Sequence, residues 1–150
     1  MHYVEDVSRL FGNVMITSPA LAWITAQVLK TVIDAMRHRR INLRLLVGPG
    51  GMPSAHSALV SGLAASAAFS QGVDSPVFAV TAALAAIVMY DAAGVRQAVD
   101  RQSAILSHIL THVPRTQDDF DRFLEELVGH TRVQVAAGAL LGIAVATLLR

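Results

Sequence analysis

The chain has 150 residues, room for one domain and hardly for two. Hydrophobic residues make up 53% and charged residues only 15%, with a mean hydropathy of +0.50; soluble domains carry about 25% charge, so the deficit points to a lipid-facing surface or a very buried bundle. A net charge of +1 gives no bulk argument for nucleic acid, and the absence of cysteine excludes disulfides and thiolate chemistry.

The N-terminal MHYVEDVSRLFGN does not read as a secretory signal, because Glu5 and Asp6 stand where an apolar stretch should begin. It reads as a short amphipathic helix with Tyr3, Val7, Leu10 and Phe11 on one side. The first apolar stretch runs from Val14 to Met36, with Ser18-Pro19 as its expected cap and first helical position. The second, His56 to Gly72, is rich in Ala, Ser and Gly. The third is Pro76 to Tyr90, closed by Asp91. Val95, Val99, Ile105, Leu106, Ile109 and Leu110 then recur at helical spacing, which predicts an amphipathic helix lying on a membrane surface and ended by Pro114. Asp118 to Val128 reads as a second, acidic amphipathic helix. The fourth apolar stretch is Thr131 to Leu149, with Gly138 and Gly142 as a small-xxx-small step suited to helix packing or self-association.

The expected architecture is therefore all-α: a polytopic membrane bundle of about four transmembrane helices plus amphipathic interfacial helices, in one domain spanning 1–150. A span needs about 17–25 residues; the first and fourth stretches meet that, while the second and third are short.

The basic residues are unevenly placed. Arg37, Arg39, Arg40 and Arg44 follow the first stretch and Arg96, Arg101, Arg115 and Arg122 the third, whereas the turn from Gln71 to Ser75 has no Lys or Arg. Cytoplasmic loops carry the positive excess, so four alternating spans put both basic regions inside. They also gather Lys30, Arg37, His56, Asp91, Arg96 and His130 at that interface.

Each of these has a plain structural reading beside a functional one. Gly51-Met-Pro-Ser-Ala-His56 is a glycine-permitted loop into a helix capped by Ser54, an arrangement that favours an anion; it is also an ordinary turn and cap. Lys30 and Arg37 share nearly one helix face, about 10 Å apart along the axis. A cation in a membrane helix is costly and usually functional, although Lys30 and Asp34 are also spaced as a simple pair. Asp91 can mark the interface and nothing more, and Arg96 can pair with Asp100. His130 mirrors His56, each heading an apolar helix. No carboxylate cluster or metal-ligand spacing is present, and His108 and His112 have no third ligand in view, so neither metal nor another cofactor is expected. RHRRINLR at 37–44 fits anionic lipid head groups better than nucleic acid.

PSAH at 53–56 resembles the PSGH motif of the type 2 phosphatidic acid phosphatase superfamily, which includes the vanadium-dependent haloperoxidases. Lys30-x6-Arg37 resembles its first motif, with His38 in place of proline. GGMPSAHS, VMYDAAGVRQA and LVGHTRVQVAAGALLG together resemble the superfamily's divergent branch of small membrane proteins, over about residues 15–150. The resemblance implies an integral membrane phosphatase that hydrolyses a lipid phosphate or isoprenoid pyrophosphate. It implies His130 as nucleophile through a phosphohistidine, His56 as general acid, and Lys30, Arg37, Arg96 and Ser54 as phosphate holders, with Asp91, Gln134 and Gly51 in support. The family's third motif has arginine where Leu124 stands and aspartate where Gln134 stands. A second reading therefore stays open: a membrane module that binds phosphate or anionic head groups without turnover. Four spans against the superfamily's six helices leave room for a homodimer.

Overall fold

The computed structural model describes residues 9–39, 46, 51–110 and 130–150; within 95–101 and 103–110 it describes the backbone alone. Four helices follow in order: α1 (Val14–His38), α2 (Ala55–Gln71), α3 (Pro76–Leu110) and α4 (Arg132–Leu148). A helical turn at 9–12 precedes them.

Helix α1 begins one turn earlier than Ser18-Pro19 predicts. The Asn13 side chain accepts from the Met15 amide at 2.9 Å and takes the cap. Pro19 therefore lies inside the helix, where it forfeits one bond to the preceding turn. Arg39, in the left-handed region at φ 52°, stops the helix. In its last turns Asp34 pairs with His38, Oδ1 to Nδ1 at 2.9 Å.

Helix α2, the least amphipathic stretch, is the centre of the bundle: α1, α3 and α4 all pack on it, and α1 also meets α4. Its buried residues are small, among them Ala55, Ser57, Ala58, Ser61, Gly62, Ser66 and Ala67. Small side chains let helix backbones approach closely, which is how helices gain contact where lipid removes the hydrophobic drive. Gly138 and Gly142 serve that packing within the chain. A Cβ on Gly138 would collide with the Ser54 carbonyl oxygen, and one on Gly142 with the Ser61 hydroxyl and the Ala58 carbonyl. The Ser61 hydroxyl lies 3.0 Å from the Ala139 carbonyl of α4 and hydrogen-bonds across the seam. On α1, Pro19 and Ala22 meet Gly62, so α1 and α2 run antiparallel with Lys30 opposite Gly51.

The turn at 72–75 joins α2 to α3. Gly72 closes α2 at φ 89°, and the Ser75 hydroxyl accepts from the Phe78 amide at 3.1 Å, capping α3 ahead of Pro76.

Helix α3 differs from the expected pair of elements. The apolar stretch and the amphipathic stretch are one helix of 35 residues. Asp91 ends the apolar run, but hydropathy does not end a helix. Gly94 costs only about 1 kcal/mol relative to alanine, and no proline interrupts the segment. At about 1.5 Å per residue the helix is about 52 Å long, against a hydrocarbon core of about 30 Å. Its second half continues the first instead of starting a separate element on the membrane surface.

Among the described residues, two helical segments are long and apolar enough to cross a membrane, Val14–His38 and Pro76–Gly94. The third stretch, expected to be short, is thus long enough to span, and α4, at 17 residues, sits at the lower limit. Val80, Ile87 and Tyr90 on α3 and Leu140 on α4 point outward, as lipid-facing residues do. The expected acidic helix at 118–128, the stop at Pro114 and most of the N-terminal amphipathic segment lie outside the described residues.

Candidate functional site

The first turns of α2 and α4 are fastened to each other by their caps. Ser54 is fully buried, and its Oγ accepts from the Ser57 amide at 3.3 Å and the Ser57 hydroxyl at 3.0 Å. Its own N–H donates to the Gln134 carbonyl at 3.0 Å, tying the head of α2 to α4. Thr131 caps α4 in a reciprocal box: its Oγ1 accepts from the Gln134 amide, and its N–H donates to Gln134 Oε1 at 2.8 Å. The residue before that cap is His130, whose N–H donates to the Ala92 carbonyl of α3 at 3.0 Å.

These fastenings bring two imidazoles together. His56, the second residue of α2, and His130, at the head of α4, have ring centroids 6.1 Å apart, tilted by 55°. His130 is 6% exposed and buried, whereas His56 is exposed. Lys30 comes to the same end of the bundle from α1. It is 3% exposed, and Gly51, at φ +77°, lies on its stem: a Cβ there would stand 3.4 Å from Lys30 Cβ and Cδ. Gly51 has one physical reason to be glycine, the left-handed backbone; a Cβ there would make ordinary contact with the Lys30 stem.

The remaining predicted residues sit differently. Arg37 is exposed on the last turn of α1, and Asp91 is exposed next to Ala92. Arg96 lies on the α3 backbone, one turn beyond Ala92, and its side chain lies outside what is described. Two of the predicted residues also carry structural bonds. The Ser54 hydroxyl oxygen accepts the capping bonds of α2, and its amide donates to Gln134. The first-turn amides of Ala55 and His56 lack intrahelical acceptors by helix geometry. Gln134 Oε1 accepts from the Thr131 amide. Gln27, which the motif reading passed over, is 6% exposed and lies one turn before Lys30 on the same face. A lone glutamine in an apolar helix was the available signal. Among the described residues no group of three or more His, Asp or Glu is arranged to hold a metal ion.

The model of the divergent PAP2 family matches residues 11–145. The chain belongs to that family. It is also similar to the uncharacterized membrane protein YuiD of Bacillus subtilis, 35% identical over 146 residues that cover 90% of this chain and 92% of that one. No solved structure matches the chain.

Within this divergent PAP2 frame the geometry has a definite chemical capacity. A nucleophilic nitrogen must approach phosphorus to about 3–3.5 Å, and a proton donor must reach the leaving oxygen at about 2.6–3.2 Å. Two rings at 6.1 Å meet both conditions around one phosphate when their reactive nitrogens open to the same side.

Proposed function

We propose that this chain is an integral membrane phosphatase that hydrolyses a lipid phosphate or isoprenoid pyrophosphate. The observation that carries the reading is the 6.1 Å approach of His56 and His130, from the heads of two different helices. His130 forms a bond to phosphorus as the bond to the leaving oxygen breaks, and His56 gives that oxygen its proton. Water then attacks the phosphohistidine, His56 takes the water's proton, and inorganic phosphate leaves. Lys30, Arg37, Arg96 and the amides of Ala55 and His56 offset charge on the transferring group. The basic residues that follow the first and third stretches favour the cytoplasmic face for this site, where the substrate reaches it from the lipid.

The test is phosphate release by the detergent-purified chain from phosphatidic acid and from an isoprenoid pyrophosphate, over about pH 5 to 8, the range in which histidine changes charge. Vanadate-sensitive release is expected from at least one substrate. Absence of release from both, at every pH, contradicts the enzyme reading.

One observation favours a second reading, a binding module without turnover. Gln134 stands where the superfamily has an orienting aspartate, and its Oε1 is committed to the Thr131 cap. On that reading the wild type binds phosphate but releases none, and His130→Ala binds it equally well.

A further inference from the structure

The buried face of α1 carries polar side chains at Ser18, Gln27 and Lys30. Gln27 Oε1 is buried and has no hydrogen-bond partner. An amide oxygen left unsatisfied away from water costs about 1–3 kcal/mol, and such groups in folded proteins call for a missing donor. Ser18 Oγ is in the same state, but it lies about 13 Å away along the axis, toward the other end of the bundle. Gln27 is at the site end. The antiparallel register, with Lys30 against Gly51 and Ala22 against Gly62, sets Gln27 level with Ser54–Ser57, at the end of α2 that carries His56.

We propose that Gln27 forms the floor of the phosphate site and that its side-chain oxygen accepts the proton of a singly protonated phosphate, selecting phosphate over sulfate. This rests on the phosphate-site reading above. The chemistry follows from the oxygen's being an acceptor. It repels a fully ionised oxyanion and is satisfied only by an oxygen that carries hydrogen. A phosphate monoester keeps such a proton until its second ionisation, at about pH 6, and inorganic phosphate still carries one after that ionisation, as the hydrogen phosphate dianion, whereas sulfate at these pH values has none to give. Lys30 and the two histidines attract both anions, and at pH 8, where both are dianions, charge does not discriminate. The titratable groups that α1, α2 and α4 bring to this end are Lys30, Asp34, Arg37 and His38, then His56, then His130 and Arg132. All of them remain in a Gln27 variant, so the difference between the two proteins isolates the glutamine.

The experiment is calorimetric titration of the detergent-purified full chain with inorganic phosphate and, separately, sulfate at pH 6 and pH 8. Wild type is expected to prefer phosphate by about tenfold, the worth of one hydrogen bond of about 1.4 kcal/mol, and to keep that preference at pH 8, where inorganic phosphate still carries one proton. Gln27→Met, similar in volume and lacking the acceptor, is expected to bind both anions alike at both pH values, with a melting temperature unchanged or raised. Unaltered phosphate preference in Gln27→Met overturns the proposal, as does an equal weakening toward both anions, which marks a donor or a packing role. Gln27→Glu is the independent check: it keeps an acceptor oxygen and should retain the preference at pH 6. Its loss there, in protein that melts like wild type, also overturns the proposal. Wild type that binds neither anion defeats the phosphate-site reading itself, a result distinct from wild type that binds both without preference.

Discussion

His130→Ala is expected to lower phosphate release by about a thousandfold or more, with much less loss of phosphate binding. A residue that forms the covalent bond contributes to the transition state and little to ground-state affinity, so kcat falls while KM holds. His56→Ala should fall by about 10²–10⁴-fold, the range for a general acid. Its deficit has a signature that a structural role lacks. It should shrink toward wild type with a nitrophenyl phosphate, whose leaving group departs without a proton, whereas the His130→Ala deficit should not. Steady-state release of phosphate from both substrate types by the two variants checks this. Equal deficits for His56→Ala on both substrates would remove it from the acid role. The placement of the rings supports the asymmetry: His130 is held by its amide to Ala92 and buried, and His56 stands open at the head of α2.

The largest effect on stability is expected at Gly142. Any side chain there meets the Ser61 hydroxyl, the Ala58 carbonyl and the Gly62 amide, two of them backbone that cannot turn aside. Overpacking costs about 1–3 kcal/mol where side chains can shift. Here α4 must separate from α2, so Gly142→Val should cost about 3 kcal/mol or more, a large part of a total near 5–15 kcal/mol. Thermal melting in detergent measures it. Anion binding should fall in parallel, because the α2–α4 seam also sets the distance between the histidines. Gly94→Ala is the control: a Cβ there meets nothing within 4 Å, and a helical glycine replaced by alanine should be neutral or stabilising by up to about 1 kcal/mol. Melting of Gly142→Val at the wild-type temperature would mean that the seam does not hold the bundle.

The caps at Ser54 and Thr131 were legible in the sequence because capping is local chemistry, settled within four residues. So was the family, through PSAH, Lys30-x6-Arg37 and the segment around His130. The start of α1 was not, because Ser18-Pro19 and Asn13 are both sound caps and only the folded chain chooses between them. The break expected at Asp91 confused two properties. Hydropathy reports how much helix suits lipid, and the backbone continues wherever nothing stops it. Gln134 shows the limit of analogy. Thr131-x-x-Gln134 has the spacing of a capping box, yet its place in the motif suggested a partner for His130. The glycine step in α4 announced a close approach without saying that α2 was the partner. Gln27 stood out only as a lone glutamine in an apolar helix; its unsatisfied oxygen was out of reach, because such an atom exists only once packing has removed water from around it.

The central claim, that His56 and His130 face one oxyanion, is tested most directly by NMR of the detergent-solubilised chain with labelled histidine, each ring assigned by single substitution and followed through a phosphate titration. Both imidazoles should shift along one saturation curve with one Kd, and substitution of either should weaken the response of the other. Two rings that saturate at different phosphate concentrations, or a response from one ring alone, would contradict a shared site.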